Sequence, residues 1–271
     1  MNIENFNASL RRINRGDYPE LEKYSDQEIW TDIGPGGLFL VAAMSRVMRL
    51  NEDDIVLDLG CGKGTSSVFL AQHYRVRVIA VDLWTDATQL NTTIGQRGLT
   101  TEIVPLNLDV RKPLPFVDEY FDAIFCMNAL PFFGGDVETL NRFATHLKPG
   151  GIFCVGGECL SNEFTLEQRT NPPAAYNFMD GIWEGDFLKL HSPPWWETLF
   201  HQTVDLDVIN CRELEDGRVL YEERFISAPP VAYSGFTLQQ TRGIDRRIIM
   251  YGRSYTPNMT LFLLSTVKQT S

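Results

Sequence analysis

Asp53-Asp54-Ile55-Val56-Leu57-Asp58-Leu59-Gly60-Cys61-Gly62-Lys63-Gly64-Thr65 is the stretch that decides the fold of this 271-residue chain. An apolar run, Ile55, Val56, Leu57 and Leu59, leads into glycines at alternate positions, followed by residues able to start a helix. The pattern predicts a buried strand, a tight loop and a helix. Glycine at positions 60, 62 and 64 allows positive φ and lets a ligand approach the main chain where a Cβ would collide. A nucleotide-like cofactor is expected across this loop.

Charge and spacing bear on which cofactor it is. The dinucleotide fingerprint requires G-x-G-x-x-G and a phosphate on the helix N-terminus. Here the third glycine comes one residue early, and Thr65 stands where it would fall. Asp58 sets a carboxylate just before the loop, which repels a pyrophosphate and suits a cationic ligand. S-adenosylmethionine (SAM) carries a sulfonium and an ammonium and no phosphate. Lys63 weighs the other way, although its stem is long enough to leave the ammonium in solvent.

Asp58 to Gly64 resembles motif I of the class I SAM-dependent methyltransferases, an acidic residue, any residue, then Gly-x-Gly-x-Gly, without a gap. The resemblance implies an α/β fold: a Rossmann-like, doubly wound, seven-stranded sheet of order 3-2-1-4-5-7-6 with strand 7 antiparallel. It also implies SAM as cofactor and S-adenosylhomocysteine as product, held in part by Asp58, Gly60, Cys61, Gly62, Gly64 and Thr65.

Downstream, Ser66 to Tyr74 reads as a helix and Val76 to Val81 as strand two, ending at Asp82. An acidic residue about twenty positions after the loop, at a strand's carboxyl end, is placed to accept both hydroxyls of a ribose. Leu83 and Trp84 follow and are expected to flank an adenine, the alternative for Trp84 being cover for the core. Thr85 to Arg97 reads as a polar helix with Gly98 as its C-cap, and Glu102 to Leu106 as strand three. The resemblance puts Asp109 where an adenine amino group is accepted, with Val110 supplying backbone donors. Phe121 to Met127 is strand four; the resemblance aims its end, Asn128 and Ala129, at the methionine moiety. A helix capped by Asp136 follows, running to about Leu147. Lys148-Pro149-Gly150-Gly151, a further hallmark of the family, is read as a turn into strand five, Ile152 to Val155.

Upstream, residues 1–33 read as a helical lead-in with a Ser25/Glu28 capping box and the aromatics Tyr18, Tyr24 and Trp30. In related small-molecule enzymes this region is a lid over the cofactor; packing on the core is the alternative. Gly34-Pro35-Gly36-Gly37 breaks the chain before an apolar helix, Leu38 to Leu50. Phosphoethanolamine and related methyltransferases carry a Gly-Gly step here, which assigns Gly36 and Gly37 to the methionine end of SAM.

The second half says less. Residues 161–194, with Pro172-Pro173, Tyr176, Phe178 and Trp183, are expected to be a cap over an acceptor pocket, since apolar walls exclude water. Trp195, Trp196 and Phe200 are read as a helix packed on the sheet, Val204 to Ile209 as strand six and Met259 to Val267 as strand seven. Residues 213–255 read as charged and broken, with Asp216-Gly217 a turn and Arg246-Arg247 a solvated pair. The whole is expected to be a single domain in which 34–160 is the SAM-binding half and 195–271 completes the sheet.

Composition sets outer limits. With 44% hydrophobic and 22% charged residues the chain can bury one large core. It has no apolar run of membrane-spanning length and no leader-like N-terminus, so a cytoplasmic location with no membrane partner is expected. The net charge of −11 disfavours nucleic acid. Five cysteines without a C-x-x-C pair suggest reduced thiols and no metal site.

If SAM is bound, an acceptor atom attacks the sulfonium methyl in line, and the enzyme supplies alignment and exclusion of water. The expected acceptor is a small molecule or short peptide. Where a hydroxyl or ammonium acceptor needs a base, His191, Glu158, Tyr18 and Tyr24 are the candidates, each with a purely structural alternative. An NAD-linked oxidoreductase and a SAM-binding protein without turnover remain as alternatives.

Overall fold

A computed structural model describes residues 13–171, 189–227 and 259–270, and of residues 224–227 the backbone alone. Seven strands, β1 (Ile55–Leu59), β2 (Arg77–Asp82), β3 (Ile103–Asn107), β4 (Phe121–Met127), β5 (Leu147–Leu160), β6 (Leu206–Glu213) and β7 (Met259–Lys268), form one sheet of order β3-β2-β1-β4-β5-β7-β6. The strands from β3 across to β5 pair in parallel, and β7 runs antiparallel between β5 and β6. The expected topology is the observed one.

Both faces of the central strands are covered, so their sequences read as continuous apolar runs rather than alternating ones. Val56, Val78 and Ala80 join a core beneath α2 (Gly37–Met48), α3 (Thr65–Tyr74) and α4 (Ala87–Gln96). Leu57, Leu59 and Val81, one residue out of phase, join a second core beneath α5 (Val137–Thr145) and α7 (Pro193–Phe200). The Ser25/Glu28 capping box starts α1 (Asp26–Trp30), with both reciprocal bonds present. Asp136 caps α5 through Thr139 N–H.

Most ends fall within two residues of expectation, and three stretches differ in kind or extent. β5 does not begin after Lys148-Pro149-Gly150-Gly151 but runs through it from Leu147, because Leu147 pairs with Phe121 and β7 pairs on to Leu160. β6 begins two residues later than expected and continues to Glu213; as the sheet's edge it carries Asp207, Asn210 and Arg212, which mask it in the sequence. The stretch after Glu213 is not simply broken: after a turn at Glu215-Asp216 it forms α8 (Gly217–Ser227), burying Leu220 and Tyr221 beside its charges. Of the expected cap, 161–194, residues 161–171, which include α6 (Leu166–Thr170), and residues 189–194 are described. Pro172-Pro173, Tyr176, Phe178, Trp183 and Arg246-Arg247 lie outside the described residues.

Two aspartates tie the central strands to their neighbours. At the start of β4, Asp122 accepts Ile55 N–H from β1 at 2.9 Å and the Lys148 ammonium from β5 at 2.7 Å. At the end of β1, Asp58 is buried, and its Oδ2 accepts the hydroxyls of Ser66 (2.7 Å) and Ser67 (2.6 Å) on α3. Burial raises the Asp58 carboxyl from 3.8 to about 6; the two serines oppose this, and the Asp82 charge adds to it.

Removing the Asp122 carboxylate by Asp122→Ala orphans Ile55 N–H and should destabilise the protein by about 1–3 kcal/mol in urea unfolding; an unchanged midpoint would contradict the role. For Asp58 the folded state holds the proton more tightly than the unfolded chain. Its contribution to stability is therefore complete below about pH 4 and lost as pH rises through about 6. Measured against Asp58→Asn, wild-type stability should fall by roughly 2–3 kcal/mol between pH 4 and 7; parallel profiles would show that Asp58 ionises normally.

Candidate functional site

The carboxyl ends of β1, β2, β3 and β4 open into a cavity of about 350 Å³, within the range of small-molecule sites. Its wall is built from the glycine loop, the tips of the neighbouring strands and a short stretch before α2. Gly60 has φ +73°, and a Cβ there would stand 2.3 Å from Ala129 Cβ at the end of β4. Gly62 has φ +53° with open space beyond, so conformation rather than crowding favours glycine at that position. The N–H groups of Gly60 and Cys61 donate to the Val81 carbonyl, which docks the loop on β2.

Asp82 organises that junction. Its Oδ2 accepts Gly62 N–H at 2.9 Å, and its Oδ1 accepts Trp84 and Thr85 N–H at 2.8 Å each. Three of the roughly four lone-pair positions of a carboxylate are thereby used, leaving Oδ2 room for one more donor. Acceptance of both ribose hydroxyls at once, as the spacing suggested, is not available in this arrangement. At the tip of β3, Arg111 grips Asp109 with Nε at 2.8 Å and Nη2 at 2.9 Å, and this pairing holds the carboxyl down to about 2. Trp84, 82% exposed, lies edge-on to Phe132 across the cavity mouth with ring centroids 6.1 Å apart. Burial pushes the Cys61 thiol up, so it stays protonated.

Among the expected cofactor residues, Gly60, Cys61, Gly62, Thr65, Asp82, Leu83, Trp84, Asp109, Val110, Asn128 and Ala129 all line this cavity. Four do not. Asp58 faces α3, where the Ser66 and Ser67 hydroxyls take up its Oδ2. Gly64 packs on Leu90, where a Cβ would come within 2.4 Å. Gly36 and Gly37 serve packing: added Cβ atoms would stand 2.6 Å from Leu40 Cβ and 2.6 Å from the Ile29 carbonyl, respectively. The wall at this point is instead Asp32, Ile33 and Gly34. Asp32 reaches the glycine loop through a 2.6 Å ion pair with Lys63, and Thr65 Oγ1 donates to its carbonyl at 3.3 Å. Sequence reasoning passed over Asp32 because no motif marks it.

None of the four candidate bases lines the cavity. Tyr18 packs edge-on to Phe39 and Tyr24 packs on Phe69, and burial raises both phenols. His191 stacks on Trp195 at 3.5 Å and meets Glu163 and Arg169; burial lowers its pKa against the pull of Glu163. Glu158 is nearer, its N–H donating to Oδ1 of the cavity residue Asn128 at 3.2 Å. Among the described residues, no cluster of three or more His, Cys, Asp or Glu side chains could hold a metal ion, and no helix is long and apolar enough to cross a membrane.

Residues 56–151 match the family model described as a methyltransferase domain. A 2-methyl-6-phytyl-1,4-hydroquinone methyltransferase of Synechocystis sp. is 27% identical over 143 residues, covering 52% of this chain and 44% of that one. Phosphoethanolamine N-methyltransferase 3 of Arabidopsis thaliana is 26% identical over 132 residues, covering 48% of this chain and 26% of that one. The chain thus spans less than half the length of either relative. In structure, the geranyl diphosphate C-methyltransferase of Streptomyces coelicolor, crystallised with S-adenosylhomocysteine, superposes with a TM-score of 0.64 over 86% of this chain and 76% of that one, at 17% identity. Residues 56–151 thus match a methyltransferase domain, and the glycine loop, strand-end carboxylates and sheet order around them are similar to those of the class I SAM-dependent methyltransferases.

Proposed function

We propose that this chain transfers the methyl group of SAM to an oxygen or nitrogen atom, in preference to sulfur or carbon, of a small molecule or short peptide in specialised metabolism. The charge of the cavity wall carries the choice of cofactor. It presents three carboxylates, Asp32, Asp82 and Asp109; Lys63 pairs with the first and Arg111 with the last, which leaves the excess negative charge at Asp82. A diphosphate would meet net repulsion there, whereas a sulfonium and an ammonium would meet attraction. That balance favours SAM over NAD more firmly than Asp58, whose carboxylate is committed to α3.

The adenine falls between Leu83 and the Asp109–Val110 tip, the ribose at Asp82, and the amino-acid end towards Asn128 and Gly34. The strand order β3-β2-β1-β4, with neighbours about 4.8 Å apart, supports this arrangement. Because the sulfonium donor is already activated, transfer rests on alignment and water exclusion. Of the four candidates, Glu158 is the one whose backbone bonds a cavity residue, Asn128, and it is retained as the base for an acceptor that must lose a proton.

Calorimetry should find S-adenosylhomocysteine bound and NAD not; preference for NAD would overturn the assignment. Asp82→Ala frees three backbone donors and removes a charged acceptor, and should weaken S-adenosylhomocysteine binding by about 2–3 kcal/mol; unchanged affinity would remove Asp82 from the site. Incubation with methyl-labelled SAM and pooled metabolites or peptides should label an acceptor, while binding without transfer would leave a protein that holds SAM and does not turn it over.

A further inference from the structure

Asn128 occupies an unusual place. It ends β4 in the left-handed backbone region at φ +53°, which asparagine tolerates better than most residues. Its side chain bridges two segments distant in sequence. Nδ2 donates to the Pro35 carbonyl at 2.9 Å, and Oδ1 accepts Glu158 N–H at 3.2 Å. Its own N–H donates to the Gly156 carbonyl at 2.8 Å. Because one neighbour can only accept and the other can only donate, the amide has a single satisfying orientation.

Two glycines make room for it. A Cβ on Gly34 would stand 2.7 Å from Asn128 Nδ2, and one on Gly157 would stand 2.8 Å from Oδ1. The amide therefore sits as a crosspiece between the stretch before α2 and the carboxyl half of β5, and Gly34 and Asn128 share the cavity wall.

We propose that Asn128 is a positioning residue: through its bond to Pro35 it fixes the Gly34–Pro35 wall against the sheet, and that wall seats the amino-acid chain of the cofactor. The inference rests on the SAM reading above. It assigns the Asn128 side chain to holding the wall rather than to gripping the adenosine, which lies over β2 and β3 on the far side of the glycine loop.

Two ligands separate these roles. S-adenosylhomocysteine has the amino-acid chain, and 5′-methylthioadenosine keeps the adenosine and sulfur without it. Asn128→Asp preserves shape and the acceptor for Glu158 but sets a carboxylate oxygen against the Pro35 carbonyl. By calorimetry it should weaken S-adenosylhomocysteine about tenfold or more and leave 5′-methylthioadenosine within about twofold. If that variant does not fold, Asn128→Gly, which adopts the left-handed backbone without strain and removes the same bond, should give the same selective loss. Equal weakening of both ligands, or of neither, would overturn the positioning role. Failure of the wild type to bind either ligand would instead overturn the cofactor reading, and the inference with it.

Discussion

Three backbone N–H groups converge on the Asp82 carboxylate, and through them the glycine loop, the β2 tip and the start of the following turn are held as one unit. A carboxylate in a strand-end loop is stable when backbone donors solvate it in place of water. Here the donors come from residues 62, 84 and 85, so the bonds that satisfy the charge also fix the loop's shape. The loop can then lie flat against β2 and pass Ala129 with no Cβ at Gly60. The cavity is what remains between that loop and the neighbouring strand tips.

Acidic side chains recur at the joints of the sheet, each with a different task. Asp122 joins β1, β4 and β5 at their amino ends; Asp58 joins β1 to α3 from inside the core; Asp82 and Asp109 stand at the cavity. Only the last two, with Asp32, give the cavity its charge. Burial separates the roles: Asp58 binds its proton more tightly than usual, while Asp109, beside Arg111, gives its proton up more readily.

Most of the sheet was legible because its signals are local. Ile55 to Gly64 shows a buried run and the glycines that end it, and each later strand closes on a residue that matches a cavity position: Asp82, Asp109, Asn128. The misreadings share one physical cause, that identity along the chain does not say which way a side chain faces. Asp58 belongs to the same motif as Gly60 and points into α3. Gly36 and Gly37 are required by close packing on Leu40 and Ile29, and that requirement looks the same in sequence as a ligand's approach. Tyr18, Tyr24 and His191 have the chemistry of a base, but aromatic packing decides where they sit. Asp32 carried no periodic or motif signal, and α8 hid its apolar face among charges.

A crystal structure with S-adenosylhomocysteine tests the whole account most directly. It should show the adenine at the tip of β3, a ribose hydroxyl on Asp82, and the homocysteine chain running past Gly60 to the wall formed by Gly34 and Asn128. Density for the ligand in the reverse sense, or outside the cavity at these strand ends, would contradict it.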